Sequence, residues 1–429
     1  MAEVIELLYG KGTIGLTLPA GAVPTIVRKR AMPVLPDPRG AVVAALDRPH
    51  GSPALQELGG GKRSACILVC DITRPVPNGL FLRPMIERLL QAGVPRAGIT
   101  VLVATGLHRP AGEEELAEIV GDPWVTDMVA VENHFATRDE DHVLLGRTST
   151  RGTVVRLDRR LVEADLKIAT GLVEPHFMAG WSGGRKLIAP GVAHAETITT
   201  FHNSRFMSHP KAANCVLDGN PLHEEQLQIV QMLGGALALN TVIDEHRRLA
   251  FVNFGEIVTS HLAAVAFVQD YAVVEVPRRF RTVVTSSAGY PLDKTYYQTV
   301  KGMVGPLDIL EPGGDLIIAS ACSEGIGSRH FAEAQARLVE LGTEGFWKSI
   351  EAKPHADIDE WQTQMQLKPM RVGRVSLVTD GLSAADLALT GVERAASLEA
   401  AIEASIRRHG DPHIAVVPEG PYVVPVHGA

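Results

Sequence analysis

Three short polar stretches carry residue types suited to acid–base and anion chemistry. They are Asp71-Ile72-Thr73-Arg74-Pro75, Thr105-Gly106-Leu107-His108-Arg109-Pro110, and Glu174-Pro175-His176 running into Gly180-Trp181-Ser182-Gly183-Gly184-Arg185-Lys186. A pair of histidines such as His108 and His176 is what reversible proton transfer between the two faces of one carbon centre requires. Each must act as base for one enantiomer and as acid for the other near neutral pH. Either histidine alone reads as a hydrogen-bonded loop side chain, and Arg74 beside Asp71 reads as a loop ion pair or cap.

The Gly180–Lys186 segment admits several mechanical readings. It satisfies G-x-S-x-G formally, so a metal- or serine-dependent hydrolase using His176, His202 and Ser182 is the alternative to consider. A nucleophile elbow needs a strand directly before its serine, however, and Glu174 to Ala179 contains Pro175 and no strand-like apolar run. No Gly-Lys-Ser/Thr follows, so this is not a Walker loop, and G-x-G-x-x-G is missing after every predicted strand. What remains is a glycine-rich turn entering a helix, with backbone N–H groups free to hold an anion at Gly183 and Gly184. Lys186 falls in the first helical turn. Arg185 and the helix N-terminus both disfavour its ammonium form, which suits it to covalent attachment; the plainer reading is a solvated surface lysine.

His202 lies 16 residues beyond Lys186. One imidazole makes a poor protein metal site, and His223-Glu224 has no further histidine at the spacing zinc would want. A metal held mainly by a cofactor and completed by one imidazole is consistent with that scarcity. Further on, Gln298 and Lys301 in Tyr290–Gly302 are three residues apart and share a helix face. They either close on a substrate carboxylate or form an exposed surface.

The elements that must position these residues follow from the apolar pattern. Val4 to Leu18 reads as a hairpin around Gly10-Lys11-Gly12. Ser64–Cys70, Ile99–Ala104 and Leu166–Ala169 are strands, with helices at Leu80–Ala92, Glu113–Val120 and, from Asn220-Pro221, to Met232. Strands alternating with helices imply a mostly parallel sheet with ligands beyond the carboxyl ends of its strands. All three polar loops should then reach one rim. The proline-bearing basic stretch Pro277–Arg281 reads as a domain connection. After it the rhythm restarts, with strands at Thr282–Ser286, Asp315–Ala319 and Arg374–Thr379 and helices at Ala332–Leu341 and Leu398–Arg407. The expected organisation is α/β with two domains, each a mostly parallel sheet flanked by helices. Residues 1–276 form the first, 277–409 the second, and 410–429, which include the strand His413–Val417, pack back on the first.

Composition agrees with a folded protein of 429 residues, 45% hydrophobic and 21% charged. The 41 basic and 49 acidic residues leave a net charge of −8 without a basic run, which disfavours nucleic acid or an anionic membrane surface as partner. The cysteines Cys66, Cys70, Cys215 and Cys322 form no C-x-x-C pair, which suits a reducing compartment. No basic n-region opens the sequence and no apolar stretch approaches ~18 residues, so the expected location is cytoplasmic.

Taken together, D-I-T-R-P at Asp71, T-G-L-H-R-P at Thr105, E-P-H-F-M-A-G-W-S-G-G-R-K at Glu174, F-H-N around His202 and Y-Y-Q-T-V-K at Tyr296 resemble the nickel-pincer-nucleotide-dependent lactate racemase family. The blocks span residues 71 to 301 in matching order and spacing. The resemblance implies a two-domain enzyme with its active site in the interdomain cleft, inverting C2 of a 2-hydroxy acid. It implies a pyridinium-3-thioamide-5-thiocarboxylic acid mononucleotide tethered to Lys186, carrying nickel that His202 completes. His108 and His176 would exchange the hydroxyl proton while the C2 hydride passes reversibly to the cofactor, through a planar 2-keto acid. Arg74, Gln298 and Lys301 would grip the carboxylate, Asp71 would orient Arg74 at the cofactor, and Tyr297 and Trp361 would border the pocket. Separate biosynthetic enzymes would supply the cofactor.

Overall fold

The Ala65–Cys70 strand is apolar at every position, and both of its faces are used. Cys66 and Leu68 enter one core, and Ala65, Ile67 and Val69 enter another. A strand buried on both faces belongs in the middle of a helix-covered parallel sheet. The computed structural model, which describes residues 4–428, places it there. The first sheet has six strands in the order Leu249–Glu256, Leu237–Ile243, Leu166–Leu172, Ala65–Cys70, Ile99–Ala104, Ala130–Asn133. All neighbours are parallel except Leu249–Glu256, which runs antiparallel to Leu237–Ile243. The second sheet is wholly parallel, in the order Glu393–Arg394, Arg374–Val378, Leu310–Ala319, Phe280–Ser286, His413–Val417, Val23–Ile26. The core that takes Leu68 continues into Val283, Leu316 and Ile318 of this second sheet, so the two layers share packed surface.

Local rules account for the helix starts. Asn220 caps Pro221–Met232 by accepting from the Leu222 backbone N–H at 3.0 Å, with proline at the first position. Thr295 caps Tyr296–Val304, and Ser328 caps Arg329–Ile350, whose course breaks at Gly342 with φ +68°. The helix expected at Ala332–Leu341 is thus the first half of a longer element.

Two expectations about domain membership change. The hairpin forms as expected, Val4–Tyr9 pairing with Gly12–Thr17, but it packs on the second sheet. Ile5, Leu7 and Leu16 share a core with Val284, Ile317, Ile414 and Val416. Val23–Ile26 likewise extends the second sheet along His413–Val417, which is itself internal to that sheet. The chain end divides: only Val424–His427 returns toward the first sheet's side, pairing with Val273–Val276. A short amphipathic hairpin carries no signal for which apolar face will cover it, so proximity in sequence misassigned it. Residues 1–3 and 429, at the limits of the expected ranges, lie outside the described residues. Among the described residues, no helix is long and apolar enough to cross a membrane, and the four cysteines are free.

Leu7 is fully buried, so Leu7→Ala should lower unfolding stability by about 2–5 kcal/mol. Hydrogen-exchange mass spectrometry should then find the loss of protection in His413–Val417 and not in Ala65–Cys70.

Candidate active site

Leu166–Leu172, Ala65–Cys70 and Ile99–Ala104 are adjacent in the first sheet and parallel, so the loops after them emerge side by side at one carboxyl edge. The second domain closes over that edge with the helices Tyr296–Val304 and Glu360–Val372. Between them lies a cavity of about 180 Å³. Asp71, Arg74, His108, His176, Gly183, Lys186, His202, Tyr297, Gln298, Lys301 and Trp361 all line it. Of the residues expected from sequence, only Gly184 is turned away, against the His261 ring. A larger cavity of about 370 Å³ lies beyond Leu172 and Glu174. Its charged groups are already engaged, Lys29 with Glu245 and Asp244 with Arg248, and it holds neither histidine of the pair.

Asp71 does not orient Arg74, as the sequence suggested. One of its oxygens accepts from the Thr73 hydroxyl at 2.6 Å, and the other lies 2.6 Å from Nδ1 of His108. Burial opposes ionisation of Asp71, yet the imidazole and the Thr73 hydroxyl hold its carboxyl below the usual range. In return, although crowding by protein disfavours a charged ring, Asp71 and Asp359 raise the proton affinity of His108. Nδ1 is thereby fixed as the donor, and Nε2 is left for chemistry. Arg74 is paired instead with Glu174, across the gap between two neighbouring loops.

His176 is set the opposite way. Its Nδ1 accepts the Ala179 backbone N–H at 3.1 Å, so the neutral ring carries its proton on Nε2. Burial, then the charges of Lys186, Arg74 and Lys301, hold its pKa well below the ordinary value.

The glycine-rich segment is built to bury a lysine. Gly183 has φ +77°, and a Cβ there would stand 2.8 Å from the Leu172 carbonyl oxygen, so only glycine fits. The expected helix is a single 3₁₀ turn, Gly184–Leu187. Arg185 turns inward, donating to the Ala179 and Trp181 carbonyls at 3.1 and 3.3 Å. Lys186 points into the cavity, and its amine is brought down to about 7, chiefly by burial, then by Arg74 and Arg185. Burial and Arg74, rather than a helix terminus, are what disfavour its ammonium form.

His202 donates from Nδ1 to the Ile198 carbonyl at 2.9 Å, which leaves the Nε2 lone pair bare. Burial, with Lys186 next, lowers its pKa to about 3, so the imidazole is neutral and able to ligate. Among the described residues no three His, Cys, Asp or Glu side chains are grouped to hold a metal ion. A metal at His202 would therefore draw most donors from a bound group, and the adjoining amine of Lys186 offers that group an anchor. Ser182 is structural: its hydroxyl donates to the Leu172 carbonyl at 2.9 Å and accepts the Glu174 N–H at 3.0 Å. Among the described residues no imidazole bonds to its hydroxyl, so the serine-dependent form of the hydrolase reading lacks its general base.

From the second domain, Gln298 and Lys301 face the same cavity. The Gln298 side-chain oxygen is buried without a partner among the described residues, and Lys301 is held well below the usual lysine range by burial and by Arg74. Trp361 lies with its ring 5.0 Å from that of His202. Sequence reasoning missed the roles of Glu174, which holds Arg74, and of Asp359, which lines the cavity. Both sit two residues before a side chain that was singled out, His176 and Trp361.

The family model described as the lactate racemase N-terminal domain matches residues 9–214, and that of the lactate racemase C-terminal domain matches residues 278–425. The lactate racemase of Thermoanaerobacterium thermosaccharolyticum is 32% identical over 388 residues, covering 88% of each chain. That of Lactiplantibacillus plantarum is 32% identical over 381 residues, covering 88% of this chain and 89% of its own. Among solved structures, the lactate racemase apoprotein from T. thermosaccharolyticum superposes with a TM-score of 0.91 at 30% identity, over 99% of this chain and 100% of that one. A Thermotoga maritima protein shares the fold alone, with a TM-score of 0.67 at 18% identity, over 89% of this chain and 100% of that one.

Asp71→Asn removes the charge that raises His108. The ring, followed by NMR titration and assigned with His108→Gln, should therefore release its proton at lower pH than in the parent protein. A midpoint that stays put or moves up would contradict the pairing.

Proposed function

This chain belongs to the lactate racemase family, a family of isomerases, and we propose that it inverts C2 of a 2-hydroxy acid with a nickel-pincer nucleotide tethered at Lys186. One observation carries this reading: a buried amine near neutrality, Lys186, and a neutral imidazole with a bare Nε2, His202, line the same small cavity as two histidines.

When bound, the nickel-pincer nucleotide supplies a reversible acceptor for the C2 hydride. The protein's own residues do the rest. Arg74, held in place by Glu174, and Lys301 bind the substrate carboxylate, with Gln298 beside them; a guanidinium offers two parallel donors to a carboxylate. Burial excludes water, which strengthens each of these contacts and protects a planar 2-keto acid from side reactions. His108, its Nδ1 fixed on Asp71, presents Nε2 to take or return the hydroxyl proton. His176 presents its Nε2–H from the opposite loop, and can pass that proton on when its Nδ1, now accepting the Ala179 N–H, takes one up. A proton carrier on each side lets the hydroxyl proton be taken up or returned in either configuration of C2. Neutral Lys186 is the form able to make the covalent link, and His202, with its Nε2 lone pair bare, would complete the metal's ligands. Loading falls to separate cofactor-building enzymes, and the protein is proposed to work in the cytoplasm.

Protein produced in cells that make the cofactor should carry one covalent adduct by intact mass. Lys186→Ala should abolish it, while Ser182→Ala only reduces it through loop disorder; an adduct that survives Lys186→Ala would refute the tether. Loaded enzyme should racemise a single enantiomer of lactate, followed by chiral chromatography. His176→Ala and His108→Ala should each slow it by about 10²–10⁴-fold.

A further inference from the structure

Four acidic or basic partners in the catalytic cavity are spoken for: Asp71 by His108, and Arg74 by Glu174. Asp359 is different. It is buried, lines the cavity beside Tyr297, Trp361 and Gln362, and holds φ +63°, in the left-handed region. A non-glycine residue kept there, at the wall of a reaction cavity, marks a side chain whose direction is fixed by its surroundings. One oxygen accepts the Ser328 hydroxyl at 2.5 Å, and the Tyr297 hydroxyl lies against the carboxylate. A carboxylate has about four acceptor positions, so capacity remains.

Its place relative to the reacting carbon follows from its neighbours. Asp359 acts electrostatically on His108. It stands two residues before Trp361, whose ring is 5.0 Å from that of His202. The basic groups Arg74 and Lys301 cluster with His176 and Lys186. A substrate whose carboxylate lies on Arg74 and Lys301 and whose C2 hydroxyl meets His108 has Asp359 among the lining groups left to meet its C2 substituent.

Resting on the racemase reading above, we propose that Asp359 determines which C2 substituent is accepted. A second carboxylate there meets a like charge in a water-poor cavity, whereas a C3 hydroxyl can donate to the free acceptor positions. The favoured substrates are 2-hydroxy monocarboxylates, best with a hydrogen-bond-donating side chain, and dicarboxylates are rejected.

The test uses cofactor-loaded enzyme and single enantiomers of lactate, glycerate and malate, with configuration followed by chiral chromatography. Expected is kcat/KM for glycerate at or above that for lactate, and for malate at least about tenfold below lactate. Asp359→Asn should raise the malate-to-lactate ratio at least threefold and lower the glycerate-to-lactate ratio. Calorimetric binding of malate and glycerate to the same proteins gives a readout independent of turnover, with malate gaining on glycerate in Asp359→Asn; Asp359→Ser replaces it if the asparagine variant does not fold. A wild-type malate rate within tenfold of lactate, or ratios that move less than threefold on substitution, would overturn the role of Asp359 while leaving racemisation intact. Failure to invert any of the three acids would instead bring down the racemase reading, and this inference with it.

Discussion

Everything in the cavity depends on the burial of more basic groups than one small space can keep charged. Arg74, Lys186, Lys301 and His176 converge there, and only the guanidinium of Arg74 has a carboxylate of its own, Glu174. Water that would screen these charges is displaced, so desolvation and mutual repulsion act in the same direction on every amine and imidazole. Arginine keeps its proton because its intrinsic affinity is highest. The two lysines and His176 all hold their protons less tightly than usual, each lowered first by burial and then by its neighbours. A lysine that titrates near pH 7 has a neutral fraction that is a nucleophile, and a neutral imidazole is a ligand. The protonation states that the proposed chemistry needs follow from where the fold places the charges.

That placement is a consequence of topology. Parallel strands deliver successive loops to one edge, and three adjacent strands supply Asp71, His108 and His176 from three separate stretches of chain. The edge alone gives half a pocket. The second domain supplies Gln298 and Lys301 from a helix that itself follows a strand of the second sheet. The hairpin and Val23–Ile26 join this second layer early in the chain, and Val424–His427 pairs back to Val273–Val276 late in it. The two layers are thus tied at both ends of the sequence, which restricts how far the walls of the cavity can part.

Much of this was legible in the sequence because the determining signals are local. The apolar runs of Ala65–Cys70 and Ile99–Ala104 leave no choice but buried strands, and the Asn220-Pro221 pair marks its helix start. Once the strands are parallel, the common rim follows. What was not legible depends on three-dimensional competition between partners. Asp71 could have served Arg74 in the same loop, but His108 in the neighbouring loop reaches it, and Glu174 takes the guanidinium. The turn at Lys186 carries glycines that suit a helix entrance, yet it is a single 3₁₀ turn, and Pro190, three residues past Leu187, has no N–H with which to extend it. Asp359 gave no sign because its significance comes from φ +63° and from the company of Tyr297 and His108, none of which the residue type encodes.

The unequal histidines bear on how a racemase of this form could treat two enantiomers alike. In the free protein His108 is raised and His176 lowered, so the pair is poorly matched for exchanging roles. The charges that depress His176 after burial are those of Lys186, Arg74 and Lys301. On the proposed reading, the first is lost when the lysine becomes the cofactor's anchor, and the other two are neutralised when a substrate carboxylate lies across them. A substrate carboxylate across Arg74 and Lys301 would raise the proton affinity of His176, while His108, which already has Asp71, would change less. Protonating His176 also requires its Nδ1 to give up the Ala179 N–H, a contact within the very loop that carries Lys186. Substrate binding would in this way bring the two rings closer to parity in the complex where both are needed.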